Sequence, residues 1–84
     1  MKPQISSEVR ANLSRDIKEL RGRIGLSQEA LALAAGIDRT YVSQIERQIA
    51  NPSLEILYLI ACALGVSLSV KFEAVDPLNG KLSR

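Results

Sequence analysis

Histidine and tryptophan are absent from this 84-residue chain, which holds one cysteine, one phenylalanine and two tyrosines. Each shortage closes a class of function. Without histidine the commonest general base and metal ligand is missing. No carboxylate cluster, glycine-rich phosphate loop or metal-ligand spacing takes its place. Neither an enzyme, a metal site nor a cofactor is therefore expected. The single cysteine, Cys62, cannot form an intrachain disulfide, and its place on an apolar helix makes it a candidate core residue. No secretory signal opens the sequence, so a reducing cytoplasm is the expected location. The longest apolar run, Ile56 to Val66, falls short of the roughly 18 residues a membrane span needs, so no membrane association is expected.

What is present suits one small folded domain. Hydrophobic residues make up 46% and charged residues 24%, which places the chain among folded proteins rather than disordered ones. The net charge is +2 and unevenly placed. Residues 1–47 carry eight Lys and Arg against six Asp and Glu, whereas residues 48–84 carry three of each, so the whole excess lies in the first half. That is a weak pointer toward a polyanion. There are no internal repeats and no low-complexity segment.

Apolar residues three and four apart dominate from residue 9 to residue 64. Leu13, Ile17, Leu20 and Ile24 form the stripe of a first amphipathic helix, with Ser6 or Ser7 as cap and Gly25 at its end. A second helix runs Gln28 to Ala35, capped by Ser27 and stopped by Gly36. Asp38 caps a third, Arg39 to about Gln48, with Val42 and Ile45 facing inward. Asn51-Pro52 opens a fourth, asparagine as cap and proline in the first turn. Its inner stripe would be Leu54, Leu57, Tyr58, Ala61 and Leu64, ending at Gly65. The period then changes to two: Leu68, Val70, Phe72 and Ala74 alternate with Ser69, Lys71 and Glu73, a strand pattern.

Gln28 to Arg47 carries the functional signal. Two helices that cross tightly need a small residue at the contact, and Ala32 supplies it. The turn between them requires a positive backbone angle, which Gly36 tolerates. Leu31, Ile37, Val42 and Ile45 hold the second helix of the pair against the core. Left outward on that helix are Arg39, Thr40, Ser43, Gln44 and Arg47, polar hydrogen-bonding side chains on one face. Reading base edges in a DNA major groove requires such a face.

The words Leu26-Ser27-Gln28, Leu31-Ala32, Ala35-Gly36-Ile37, Val42-Ser43-Gln44-Ile45-Glu46, Asn51-Pro52-Ser53-Leu54 and Ala63-Leu64-Gly65-Val66 together resemble the helix-turn-helix domain of Cro/cI-like phage and bacterial regulators, the XRE family. The resemblance spans Arg21 to Val66. It implies that Arg39, Thr40, Ser43 and Gln44 read bases, with Ser43 at the margin. It implies phosphate contacts from Arg23, Ser27, Gln28, Arg47, Asn51 and Ser53, with Gln28 also bracing the recognition helix. Tyr41 either covers the core or puts its hydroxyl on a phosphate. Arg21 and Glu46 match a structural ion pair tying the first helix to the third.

The fourth helix is apolar nearly all round, with Ile56, Leu59, Ile60 and Ala63 outside its inner stripe, and so is expected to be buried on more than one side. One strand without a partner is unstable alone, and a second copy is the simplest source of an edge. Ile56, Leu59, Ile60, Leu68, Val70 and Phe72 are accordingly candidate dimer contacts. A strand here resembles antitoxins of the HipB type. The expected organisation is an all-α, four-helix Cro/cI-like domain over residues 1–66 (arm 1–5, helix-turn-helix 28–47), a short C-terminal β-strand over 67–76 pairing across a dimer, and a loose tail over 77–84. The expected function is regulation of transcription by a homodimer on palindromic double-stranded DNA. An antitoxin with a toxin partner and a helix-turn-helix fold used for protein contacts are the alternatives.

Overall fold

A computed structural model of the chain describes residues 5–74. Four helices follow in order: α1 (Ser7–Arg23), α2 (Gln28–Ala35), α3 (Arg39–Glu46) and α4 (Leu54–Leu64). Each begins at a polar side chain that accepts a hydrogen bond from an amide the helix leaves free. Ser6 accepts from Val9 N–H, Ser27 from Ala30, Asp38 from Thr40 and Ser53 from Ile56. The fourth cap is Ser53, not Asn51, because the Asn51 side chain accepts the Ile5 N–H at 3.1 Å instead. The helix therefore starts two residues beyond the proline.

The ends are equally specific. Gly36 sits at φ 73°, and the amide of Ile37 returns to the Ala32 carbonyl at 3.0 Å, closing α2 with a left-handed cap. α3 is two residues shorter than its pattern suggested, because Gln48 takes a left-handed turn at φ 67°. Its amide then bonds Ile45 O, and Ile49 and Ala50 return to Gln44 O.

α2 packs against both α3 and α4, and α3 packs against α1. The core is Ile17, Leu31, Ala32, Ala35, Val42, Ile45, Ala50, Ile60 and Leu64, with Leu13, Leu20, Leu26, Ile37, Tyr41, Ile56, Leu59 and Ala63 packed around it. Ala32, the small residue expected at the α2–α3 contact, is buried in this core at 2% exposure. Ile24 is exposed, since α1 ends at Arg23 and the chain has turned away.

α4 keeps Ala61 and Leu64 of its expected inner stripe buried but turns Leu54 and Tyr58 outward. Ile60 is 2% exposed and fills its own subunit instead of the dimer role expected of it, while Ile56 and Leu59 pack against the core but stay partly exposed. Leu54, at 61% exposure, and Tyr58, at 59%, point outward with Cys62, which is exposed rather than buried. A helix that is apolar on every side has no stripe by which to tell inside from outside; contact with α2 makes the choice.

Residues 67–74 form no strand, so the expected strand is not seen in the described part of 67–76. A strand needs a second edge to bond, and none lies beside residues 67–73 among the described residues. Leu68 is half-buried, whereas Val70 and Phe72 are exposed. The rest of the expected arm, strand and tail (residues 1–4 and 75–84) lies outside the described residues.

Candidate nucleic-acid interface

Glu46 is the hub of the site. It closes α3, and its side chain is 3% exposed. Arg21 of α1 meets it fork to fork, Nε to Oε2 at 2.8 Å and Nη2 to Oε1 at 2.9 Å. Gln28 adds its Nε2 donor to Oε1 at 2.9 Å from the first turn of α2. The third nitrogen of Arg21 donates to the Leu26 carbonyl at 2.8 Å. Side chains from α1 and α2 thus converge on one α3 carboxylate, and Arg21 ties the α1–α2 loop to the cluster.

Burial alone pushes the Glu46 carboxyl up. The hydrogen bonds from Arg21 and Gln28, with the charges of Arg21 and Lys18, outweigh it, and the net shift is below the ordinary 4.5. The hydrogen bond to Glu46 likewise raises Arg21, more than burial lowers it. Both groups are held in their charged forms. The ion pair expected between Arg21 and Glu46 is formed, and Gln28 braces α3 through it.

With α3 fastened on its inner side, its outer side is free. Arg39, Thr40, Gln44 and Arg47 are exposed and Ser43 is half-buried. Thr40, Gln44 and Arg47 follow at helical spacings of four and three, with Arg39 and Ser43 alongside. Among the described residues, the side chains of Arg39, Thr40, Gln44 and Arg47 make no ion pair or hydrogen bond, so their donors are available to a ligand.

The flanking residues are placed differently. Ser27 and Ser53 use their oxygens as caps, which leaves each hydroxyl hydrogen free to donate. Arg23 is exposed and 3.2 Å from Glu19, a surface pair weak enough to open. Tyr41 is half-buried and packs against the core, the first of its two expected roles. The Asn51 side chain is exposed but occupied by Ile5.

One residue of the site escaped the sequence reading. Ser14 of α1 is buried, and its hydroxyl donates to the Glu46 main-chain carbonyl at 2.6 Å. The signal was its spacing: Ser14, Ile17 and Arg21 lie three and four residues apart on one face of α1. A small polar residue in that row has something to bond.

Comparison with known proteins agrees with this geometry. The HTH_3 helix-turn-helix family model matches residues 17–71. A hypothetical transcription factor of Neisseria meningitidis serogroup B is 43% identical over 60 residues, covering 71% of this chain and 57% of its own length. Control protein C.MunI of a Mycoplasma species is 35% identical over 71 residues, 83% of this chain and 96% of its own. Some relatives are longer, and the chain spans about half of them. The solved restriction-modification controller protein C.Esp1396I, a tetramer in complex with its natural 35 base-pair operator, superposes with a TM-score of 0.66 at 41% identity, covering 69% of this chain and 76% of its own. No helix among the described residues is long and apolar enough to cross a membrane. With α2 packed on α3, Arg21 and Glu46 paired behind them and a polar face in front, the chain belongs to the HTH_3 helix-turn-helix family of XRE-type regulators.

Proposed function

We propose that the chain is a sequence-specific DNA-binding regulator of transcription that grips a palindromic operator as a homodimer and acts without catalysis in the cytoplasm. The observation that carries this is the two-sided character of α3. Its inner side is fixed by Glu46, Val42 and Ile45, while its outer side offers Arg39, Thr40, Gln44 and Arg47 without partners among the described residues. Arg39 has the bidentate geometry for guanine and Gln44 that for adenine, so these two set sequence preference. Arg47, Arg23, Gln28 and the hydroxyls of Ser27 and Ser53 contribute phosphate contacts, which fix register. The backbone of Asn51 joins them, its side chain being engaged with Ile5.

Dimerisation follows from the apolar surface a single chain leaves uncovered. Leu54 and Tyr58 stand out on α4, and Val70 and Phe72 on the tail. Residues 67–76 pair with the same segment of a second copy, each supplying the other with an edge. Two recognition helices then face half-sites about 34 Å apart, one turn of duplex. Of the possible biological settings, control of a restriction–modification operon is the one the C.MunI likeness favours, since that alignment covers 83% of this chain and 96% of the control protein.

Selection from random duplex DNA tests the proposal, repeated for Arg39→Ala and Gln44→Ala. A palindrome is expected from wild type, and each variant is expected to lose about 1–3 kcal/mol of preference at one symmetric pair of positions. No enrichment even at low salt, where phosphate contacts are strongest, would mean that the fold serves protein contacts instead.

A further inference from the structure

Resting on that reading, we infer that Ser14 is a positioning residue for DNA recognition: it fixes the C-terminal end of the recognition helix through the Glu46 carbonyl.

The last four carbonyls of a helix have no partner within it, and each must find one when buried. For α3 all four can be followed. Ser43 O accepts from Arg47 N–H at 3.0 Å, Gln44 O from Ile49 at 3.0 Å and Ala50 at 3.3 Å, and Ile45 O from Gln48 at 3.0 Å. The left-handed turn at Gln48 makes the bonds from residues 48–50 possible. Glu46 O is the fourth, and its partner is the buried hydroxyl of Ser14. Glu46 is thereby held twice by α1, at its carbonyl by Ser14 and at its carboxylate by Arg21 seven residues on. Seven residues of helix span about 10 Å. Two attachments that far apart along α1 stop α3 from pivoting against it, where one would leave a hinge. The residues that swing if the pivot is released are Gln44 and Arg47, on the last turn of α3 and just past it.

Ser14→Ala removes the hydroxyl and leaves a buried carbonyl without its donor, whereas Ser14→Thr keeps it. Ile60→Val serves as a control that loosens the core from the α4 side. Operator affinity is measured well below every variant's unfolding transition. We expect Ser14→Ala to bind about tenfold more weakly than wild type, with Ser14→Thr and Ile60→Val near wild type. Amide exchange in the free proteins gives a readout independent of DNA: residues 47–50 exchange faster in Ser14→Ala, and α2 does not. If Ser14→Thr is too crowded to fold, Ser14→Ala and the exchange data decide alone. Wild-type affinity in Ser14→Ala overturns the inference while leaving operator recognition intact. Unchanged exchange at residues 47–50 overturns it as well. A wild type that selects no sequence overturns both.

Discussion

α3 and α4 make opposite uses of a short helix. α3 is polar on one side and apolar on the other, and its polar hub, Glu46, is enclosed by Arg21 and Gln28. α4 has no charged residue but Glu55 and is apolar around most of its circumference. In α3, chemistry decides the facing of each residue, because a buried charge must be paired and an unpaired one must stay in water. In α4, shape decides it. Ile60 and Tyr58 are two positions apart and both apolar enough to bury, yet one is 2% exposed and the other 59%.

Ile60→Ala against Tyr58→Ala breaks the comparison most sharply. The first opens a cavity in the core and is expected to cost about 2–5 kcal/mol in chemical denaturation. The second is expected to leave the monomer's stability within about 0.5 kcal/mol, as an exposed position should, and instead to weaken dimerisation in sedimentation experiments. Equal stability losses in the two would mean that α4 packs Tyr58 as well as Ile60 against its own core.

Next comes the ion pair. Arg21→Ala strands a carboxylate that is 3% exposed, and a loss of about 3 kcal/mol is expected. Its pH dependence has a definite sign. Glu46 is lowered in the folded protein below the ordinary 4.5, so its contribution is complete above that pH and disappears as the pH falls through the folded value. Arg21 is raised above the ordinary arginine value, so its contribution persists throughout the accessible range. Acid titration of the unfolding free energy is therefore expected to steepen below about pH 4.5, and Glu46→Gln to flatten that limb. A limb unchanged in Glu46→Gln would assign acid sensitivity to other carboxylates.

The smallest effect tests the loop that joins the two helices. Gln48 holds φ 67° with a side chain that disfavours it. Gln48→Gly should relieve about 1 kcal/mol of that strain, less the entropy that glycine adds to the unfolded chain. A stabilisation in thermal unfolding is the expected outcome, and a loss would show the Gln48 side chain to be held by contacts that offset the backbone.

The helix-turn-helix was legible because its constraints are local. Ser27 and Asp38 cap, Gly36 turns, and Leu31, Val42 and Ile45 recur at the helical period; all stand where the structure has them. The Arg21–Glu46 pair was legible only through resemblance to a family, since nothing in spacing joins residues 25 apart. Asn51 and Ser53 were harder to separate: both are good caps, and the competing bond to Ile5 comes from 46 residues away. Ser14 was missed because a lone serine in a helix more often faces water. The tail's alternating pattern is real in the sequence, but a strand is a property of two edges, and the described residues form no strand over 67–74.

Sequence by itself determined the four helices, their caps at Ser27 and Asp38, the turn at Gly36 and the polar outer face of α3, because each depends on neighbours within a few positions along the chain. Tertiary structure alone decided which side of α4 is inside, that Cys62 is exposed, and that Ser14 and Arg21 together hold Glu46 from α1. Those outcomes depend on how helices distant in sequence approach one another. Where a segment is apolar on all sides, or a polar group has several possible partners, packing geometry chooses among them.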